Sequence, residues 1–113
     1  MNAPQLDATL SALADPTRRA VMEMLSREPT SASAIARHFD MSLPAMSRHL
    51  RILRRSGLIE DGRVEEDARI RMYRLKRDRL AELGGWISEL EKFWSGQLQA
   101  FKAYAETTGR EVS

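Results

Sequence analysis

Ser42-Leu43-Pro44-Ala45-Met46-Ser47-Arg48-His49-Leu50-Arg51-Ile52-Leu53-Arg54-Arg55-Ser56-Gly57 is the stretch whose reading decides the fold. Ser42 supplies an N-cap oxygen, Pro44 is tolerated in a first helical turn, and Gly57 can adopt the left-handed conformation that ends a helix. Both ends of a helix of about four turns are therefore written into the chain. At ~100° per residue, Met46, Leu50 and Leu53 fall on one side, while Pro44, Ser47, Arg48, Arg51 and Arg55 gather on the other. One side is core; the other is basic and hydroxylated. The window holds four arginines and no acid, which suits an element lying against polyphosphate and offering forked donors to base edges. It reads as a DNA recognition helix over 42–56, with a merely solvated arginine face as the competing reading.

The residues before it prepare this role. Leu6, Leu10 and Leu13 sit at helical spacing, so Gln5 to Ala14 predicts a short amphipathic helix. Asp15 is a good N-cap with Pro16 at the first helical position, and Ala20, Val21, Met24 and Leu25 give a second helix its apolar face, ending near Arg27. Ser31 or Ser33 can cap a third, in which Ile35, Ala36 and Phe39 point inward. Asp40-Met41-Ser42 then turns into the basic helix, and two short helices so joined form a helix-turn-helix.

After Gly57 the period changes. Arg69-Ile70-Arg71-Met72-Tyr73-Arg74-Leu75 alternates apolar and charged residues, the pattern of a β-hairpin spanning 58–76. Asp61-Gly62 and Glu66-Asp67-Ala68 are both plausible turns; the later one gives longer strands and is favoured. A hairpin directly behind a helix-turn-helix is a wing, and arginines at 63, 69, 71 and 74 can reach flanking phosphates or the minor groove. Glu65, Glu66 and Asp67 at its tip would be repelled by DNA, so contact is expected from the strand arginines.

From 78 to 106 the chain is expected to be helical again, with residues after Thr107 frayed. Leu80, Leu83, Ile87, Leu90, Trp94, Leu98, Phe101 and Ala105 step by three and four, and Trp86, Phe93 and Ala100 form a second row. That stripe is wider than one small domain needs on a terminal helix, which predicts packing against another chain, although cover for the protein's own core would use the same pattern. Gly84-Gly85 can kink this helix or permit close approach.

Composition sets the outer limits. At 113 residues the chain reads as one domain over 1–113, ordered over 5–106, with enough length for a real core. There is no cysteine, so disulfides and thiolate metal sites are excluded. No apolar run approaches membrane-spanning length, and Met1-Asn2-Ala3-Pro4 does not open a signal peptide, so a cytoplasmic protein without membrane attachment is expected. The net charge is +2, yet residues 35–79 hold 12 Arg or Lys against 7 acids. A basic middle on a near-neutral body fits a nucleic-acid face. No Gly-rich phosphate loop or Ser-His-Asp context suggests an enzyme.

In order, the elements are two helices, a helix-turn-helix, a hairpin and a long helix: a mainly α winged helix-turn-helix with a small β-hairpin. Ala14-Asp15-Pro16-Thr17-Arg18-Arg19 with Leu25, Ser42 through Leu53, and Gly57-Leu58-Ile59 resemble the ArsR/SmtB-type winged-helix repressors of bacteria. The resemblance covers residues 5 to 105. It implies a homodimer, joined through the first and last helices, that binds an imperfect palindrome in double-stranded DNA and represses transcription. The interface it implies comprises Leu6, Leu10, Leu83, Trp86, Ile87, Leu90, Trp94, Leu98 and Phe101.

Metal-sensing members of that family use cysteines in the third helix, or Asp, His and Glu in the last. Here the third helix reads Ala36-Arg37-His38-Phe39-Asp40 and the last has no histidine. The chain thus resembles a metal-independent member with no cofactor, answering to a small-molecule or protein inducer or to none. Leu43 stands where the family often has Gln, so base preference there is expected to differ. Ser47, Arg48 and Arg51 are assigned to base edges or nearby phosphates, Ser42 and Pro44 to the helix start on a phosphate, His49 to packing or phosphate contact, and Arg54, Arg69 and Arg71 to the DNA backbone. The competing function is a winged-helix module that binds a protein partner and not DNA, favoured by the modest net charge and acidic tip.

Overall fold

The computed structural model describes the backbone of residues 1–64 and 67–112, and the side chains outside 64–68 and 109–113. Its elements are α1 (Ala3–Leu13), α2 (Pro16–Arg27), β1 (Thr30–Ser31), α3 (Ala32–His38), α4 (Leu43–Arg55), β2 (Ile59–Val64), β3 (Asp67–Leu75) and α5 (Arg77–Val112). They form two compact units, Met1–Ala81 and Glu82–Ser113.

Helix starts in the first unit are set by side chains that satisfy otherwise orphaned N–H groups. Asn2 Oδ1 accepts from the Gln5 N–H and Gln5 Oε1 accepts from the Asn2 N–H, each at 2.9 Å. This reciprocal box starts α1 at Ala3, two residues before the apolar pattern alone indicates. Asp15 accepts from the Arg18 N–H at 3.1 Å with Pro16 behind it. Of the two candidate caps for α3 it is Ser31 that serves, accepting from Ala34 at 3.2 Å. Ser42 accepts from Ala45 at 3.2 Å. The turn from α3 to α4 places Asp40 at φ 52° and is closed by the Met41 N–H on the Ala36 carbonyl at 2.9 Å.

The far end of α1 is closed from outside. Arg18 Nε donates to the Ala12 carbonyl at 2.7 Å and Arg19 Nη1 to the Leu13 carbonyl at 2.8 Å. Arginines from the first turn of α2 thus cap the last carbonyls of α1 and fix the angle between the two helices. Against this corner α3 and α4 close the core, in which Val21, Leu25, Ile35, Met46, Leu50, Leu53, Leu58 and Ile59 are buried. Thr9, also buried, donates its hydroxyl to the Gln5 carbonyl at 2.7 Å and so leaves no unmet donor.

The sheet has three strands in the order β1-β3-β2, all antiparallel, where a two-stranded hairpin was expected. Thr30 and Ser31 pair with Tyr73 and Met72; a two-residue strand is too short to show any alternation. Asp61 and Gly62 pair with Tyr73 and Met72 inside the ladder, which rules out the earlier candidate turn; of the later one, Asp67 and Ala68 already belong to β3, with Asp67 paired to Val64. Glu65 and Glu66 of the expected acidic tip lie outside the described residues.

In the second unit, α5 continues unbroken through Gly84-Gly85, where an added Cβ would meet nothing within 4 Å. It also continues past Glu106 to Val112, six residues beyond the expected end, in a stretch without proline; Thr107 turns its hydroxyl back onto the Ala103 carbonyl at 3.0 Å. No helix among the described residues is long and apolar enough to cross a membrane.

Gly57 ends α4 at φ 77°, with its N–H on the Arg54 carbonyl at 3.0 Å and the Leu58 N–H on the Leu53 carbonyl at 3.1 Å. A Cβ there would be strained and would stand 3.2 Å from Arg79 Nε. Gly57→Ala is therefore expected to destabilise the protein by about 1–2 kcal/mol, read as a lower urea midpoint; an unchanged midpoint would show that the turn relaxes freely.

Candidate nucleic-acid interface

Burial of Met46, Leu50 and Leu53 orients α4 so that Ser42, Leu43, Pro44, Arg48 and Arg51 face outward and Ser47 is half-buried. Arg48 and Arg51 have no ion-pair or hydrogen-bond partner among the described residues. The N-terminus of α4 adds its positive dipole end beside Ser42, whose hydroxyl already takes the Ala45 N–H. Hydroxyl, arginine and helix terminus therefore share one surface.

Between α4 and β3 runs a groove in two recesses. One, of about 450 Å³, lies among Ser31, Ser33, Leu43, Arg69 and Ile70; the other, of about 170 Å³, among Leu50, Arg51 and Arg54; Ser47, Arg71 and Tyr73 line both. Arg69 and Arg71 of β3 thus stand across from α4, as the alternation in β3 requires, whereas Arg63 and Arg74 line a separate recess with Pro29, Gly62 and Met72. Leu43 and Ile70 put exposed apolar surface among these polar groups.

Arg54 and Arg71, assigned to the DNA backbone, are held by one carboxylate. Asp61 Oδ1 accepts from Arg54 Nη1 at 3.3 Å and Oδ2 from Arg71 Nη1 at 3.0 Å. Sequence reading weighed Asp61 only as a turn residue and missed this; its one signal was an acid just after the arginine-rich helix. Arg74, one residue along the strand from Tyr73, instead pairs with Glu60 at 2.9 Å across the ladder.

His49 is half-buried and faces α2. Its Nδ1 lies 3.3 Å from Arg18 Nη1. A guanidinium can only donate, so Nδ1 accepts and the proton of the neutral ring sits on Nε2. His38 stands instead at the end of α3, edge-on to Phe39 at 4.9 Å. Among the described residues no three of His, Asp and Glu gather closely enough to hold a metal.

The residues assigned to an interface between chains separate by exposure. Leu83 is buried and Leu6 half-buried, whereas Leu10, Trp86, Ile87, Leu90, Trp94, Leu98 and Phe101 are exposed, the last at 70%.

Asp15 sets the start of α2. The Arg18 backbone N–H that it accepts holds its carboxyl below the ordinary value of 3.8, with the Arg18 charge acting the same way and partial desolvation opposing. The stabilisation from a depressed carboxyl is full above about pH 4 and is lost as pH falls through the folded-state value. Asp15→Ala should lower the melting temperature at neutral pH, and the gap from wild type should narrow in acid; a gap independent of pH would show that the ionised form has no special part.

A family model described as a helix-turn-helix domain matches residues 13–61. The HTH-type transcriptional regulator Rv2034 of Mycobacterium tuberculosis is 33% identical over 106 residues, covering 94% of this chain and 94% of that protein. The transcriptional repressor SdpR of Bacillus subtilis is 38% identical over 58 residues, 51% of this chain and 64% of its own. Among solved structures, an ArsR family transcriptional regulator superposes with a TM-score of 0.74 at 35% identity, covering 84% of this chain and 95% of that one. A homodimeric winged helix-turn-helix DNA-binding domain from Mycobacterium bovis gives 0.63 at 25% identity, covering 79% and 80%. These relatives are regulators of transcription rather than enzymes, and nothing among them supports the protein-docking alternative.

Proposed function

The chain belongs to the ArsR-type family of winged helix-turn-helix transcriptional regulators, which makes it a DNA-binding regulator, and on that premise we propose that it is a homodimeric repressor of an imperfect palindromic operator, acting in the bacterial cytoplasm. The observation that carries this reading is the outward side of α4, where Arg48 and Arg51 stand without protein partners among the described residues. Unpaired arginines on a capped helix suit a major groove.

In this reading Ser42, Pro44 and the N-terminus of α4 meet a phosphate. Ser47, Arg48 and Arg51 read base edges, and Leu43 offers an apolar contact to a thymine methyl. Arg54, Arg69 and Arg71 follow the sugar-phosphate backbone. His49, turned toward Arg18, supports α4 from behind. With no cysteine in the chain, release from DNA does not run through a thiolate metal site.

Two copies joined through Leu10 and the exposed row of Trp86, Ile87, Leu90, Trp94, Leu98 and Phe101 would present two α4 helices to successive major grooves ~34 Å apart. Support comes from the exposure of that row and from the relative described as homodimeric. Repression is supported by the name of the B. subtilis relative.

Bound fragments selected from random DNA should yield a two-fold operator with half-sites about one helical turn apart. Arg48→Ala should then lose about 1–3 kcal/mol of discrimination at one base pair per half-site. If titrations at fixed salt gave the variant the wild-type preference at every position, α4 would not be the reader. Trp94→Glu should sediment as a monomer and bind the operator far more weakly; a monomeric wild type at micromolar concentration would sink the dimer.

A further inference from the structure

Asp61 occupies the third position of β2, paired with Tyr73. Alternation along β3 puts Arg71 on the same face as Tyr73, and the carboxylate spends one oxygen on Arg71 and the other on Arg54 in the last turn of α4. The acid is sunk, its side chain 16% exposed, whereas Arg54 and Arg71 are 47% and 52% exposed. The two guanidiniums thus lean inward onto one carboxylate and keep further N–H donors toward solvent. Both border the recess that α4 and β3 share.

This contact has two consequences for a DNA face. It cancels one of the two positive charges of Arg54 and Arg71, which weakens attraction for any polyphosphate regardless of sequence. It also fixes the spacing of a wing arginine from the recognition helix, so that less side-chain freedom is lost when DNA arrives and the two arginines meet the duplex as a unit. A carboxylate used in this way gives up general affinity and gains register. Partly exposed ion pairs contribute little to stability, so the fold does not account for an acid here.

We propose that Asp61 is a positioning residue for operator discrimination: its carboxylate braces Arg71 of the wing against Arg54 of the recognition helix, lowering affinity for DNA in general and sharpening it for the operator. The proposal rests on the repressor reading above. It predicts opposite changes in two affinities from one substitution, which a merely structural residue would not produce.

The test uses the full chain with its selected operator and a scrambled duplex of equal length, titrated over a range of salt concentrations. Asp61→Asn should melt close to wild type, bind the scrambled duplex several-fold more tightly with a salt slope steeper by about one, and lose about tenfold of the operator-to-scrambled ratio. Asp61→Glu keeps the charge but displaces the oxygens; it should bind the scrambled duplex as wild type does and still lose part of the ratio. In an Arg71→Ala background, Asp61→Asn should reduce the ratio much less than it does alone. A wild-type ratio in Asp61→Asn and Asp61→Glu, or weaker binding of both duplexes in parallel, would overturn the brace while leaving the repressor reading intact. A wild-type protein that does not distinguish operator from scrambled DNA would overturn both.

Discussion

The structure depends on the burial of one side of α4. Met46, Leu50 and Leu53 are closed into the core with Ile35 from α3 and Val21 and Leu25 from α2. A helix has only one other side to show, and here it carries Ser42, Ser47, Arg48 and Arg51. Burying these three apolar side chains stabilises the fold by several kcal/mol at about 1.5–3 kcal/mol each, far more than any surface ion pair in the molecule. The outward face of α4 is held in place by the core, and its own charged groups contribute little to holding it.

That division leaves the arginines available for other work, and they divide it by position. Arg18 and Arg19 are turned inward to cap α1, and Arg18 also meets His49. This links the α1–α2 corner to the recognition helix through guanidinium contacts. Arg54, Arg71 and Arg74 are paired with acids of β2. Arg48 and Arg51 remain open among the described residues. A sequence count treats all these charges alike, whereas their neighbours build some of them into the scaffold and leave others open to solvent.

The Glu82–Ser113 unit follows the opposite logic. It is a single helical segment whose aromatic and aliphatic row stays largely in solvent, with Phe93, Trp94, Leu98, Phe101 and Tyr104 all more than half exposed. A contiguous apolar row of this size on one helix is uncommon in a monomer. In the proposed homodimer α5 is the element that would meet a second copy, which would present two α4 helices to a two-fold operator.

What the sequence determined by itself was local and periodic. Asp15-Pro16, Ser42 with Pro44, and Gly57 mark helix ends because capping is chemistry between residues three or four apart; the helical spacing of Met46, Leu50 and Leu53 told which side is buried. From these the winged helix-turn-helix order and the basic face of α4 could be read. The tertiary structure alone decided what depends on partners distant along the chain. It paired Thr30 and Ser31 with Tyr73 and Met72, chose Ser31 over Ser33, turned His49 toward Arg18, and set Asp61 between Arg54 and Arg71. A side chain's pairing across a sheet or between helices depends on register and packing angle, which no run of neighbouring residues encodes. So the basic outward face of α4 was legible from the start, while the acid that contacts both Arg54 and Arg71 appeared only once strand and helix had been brought together.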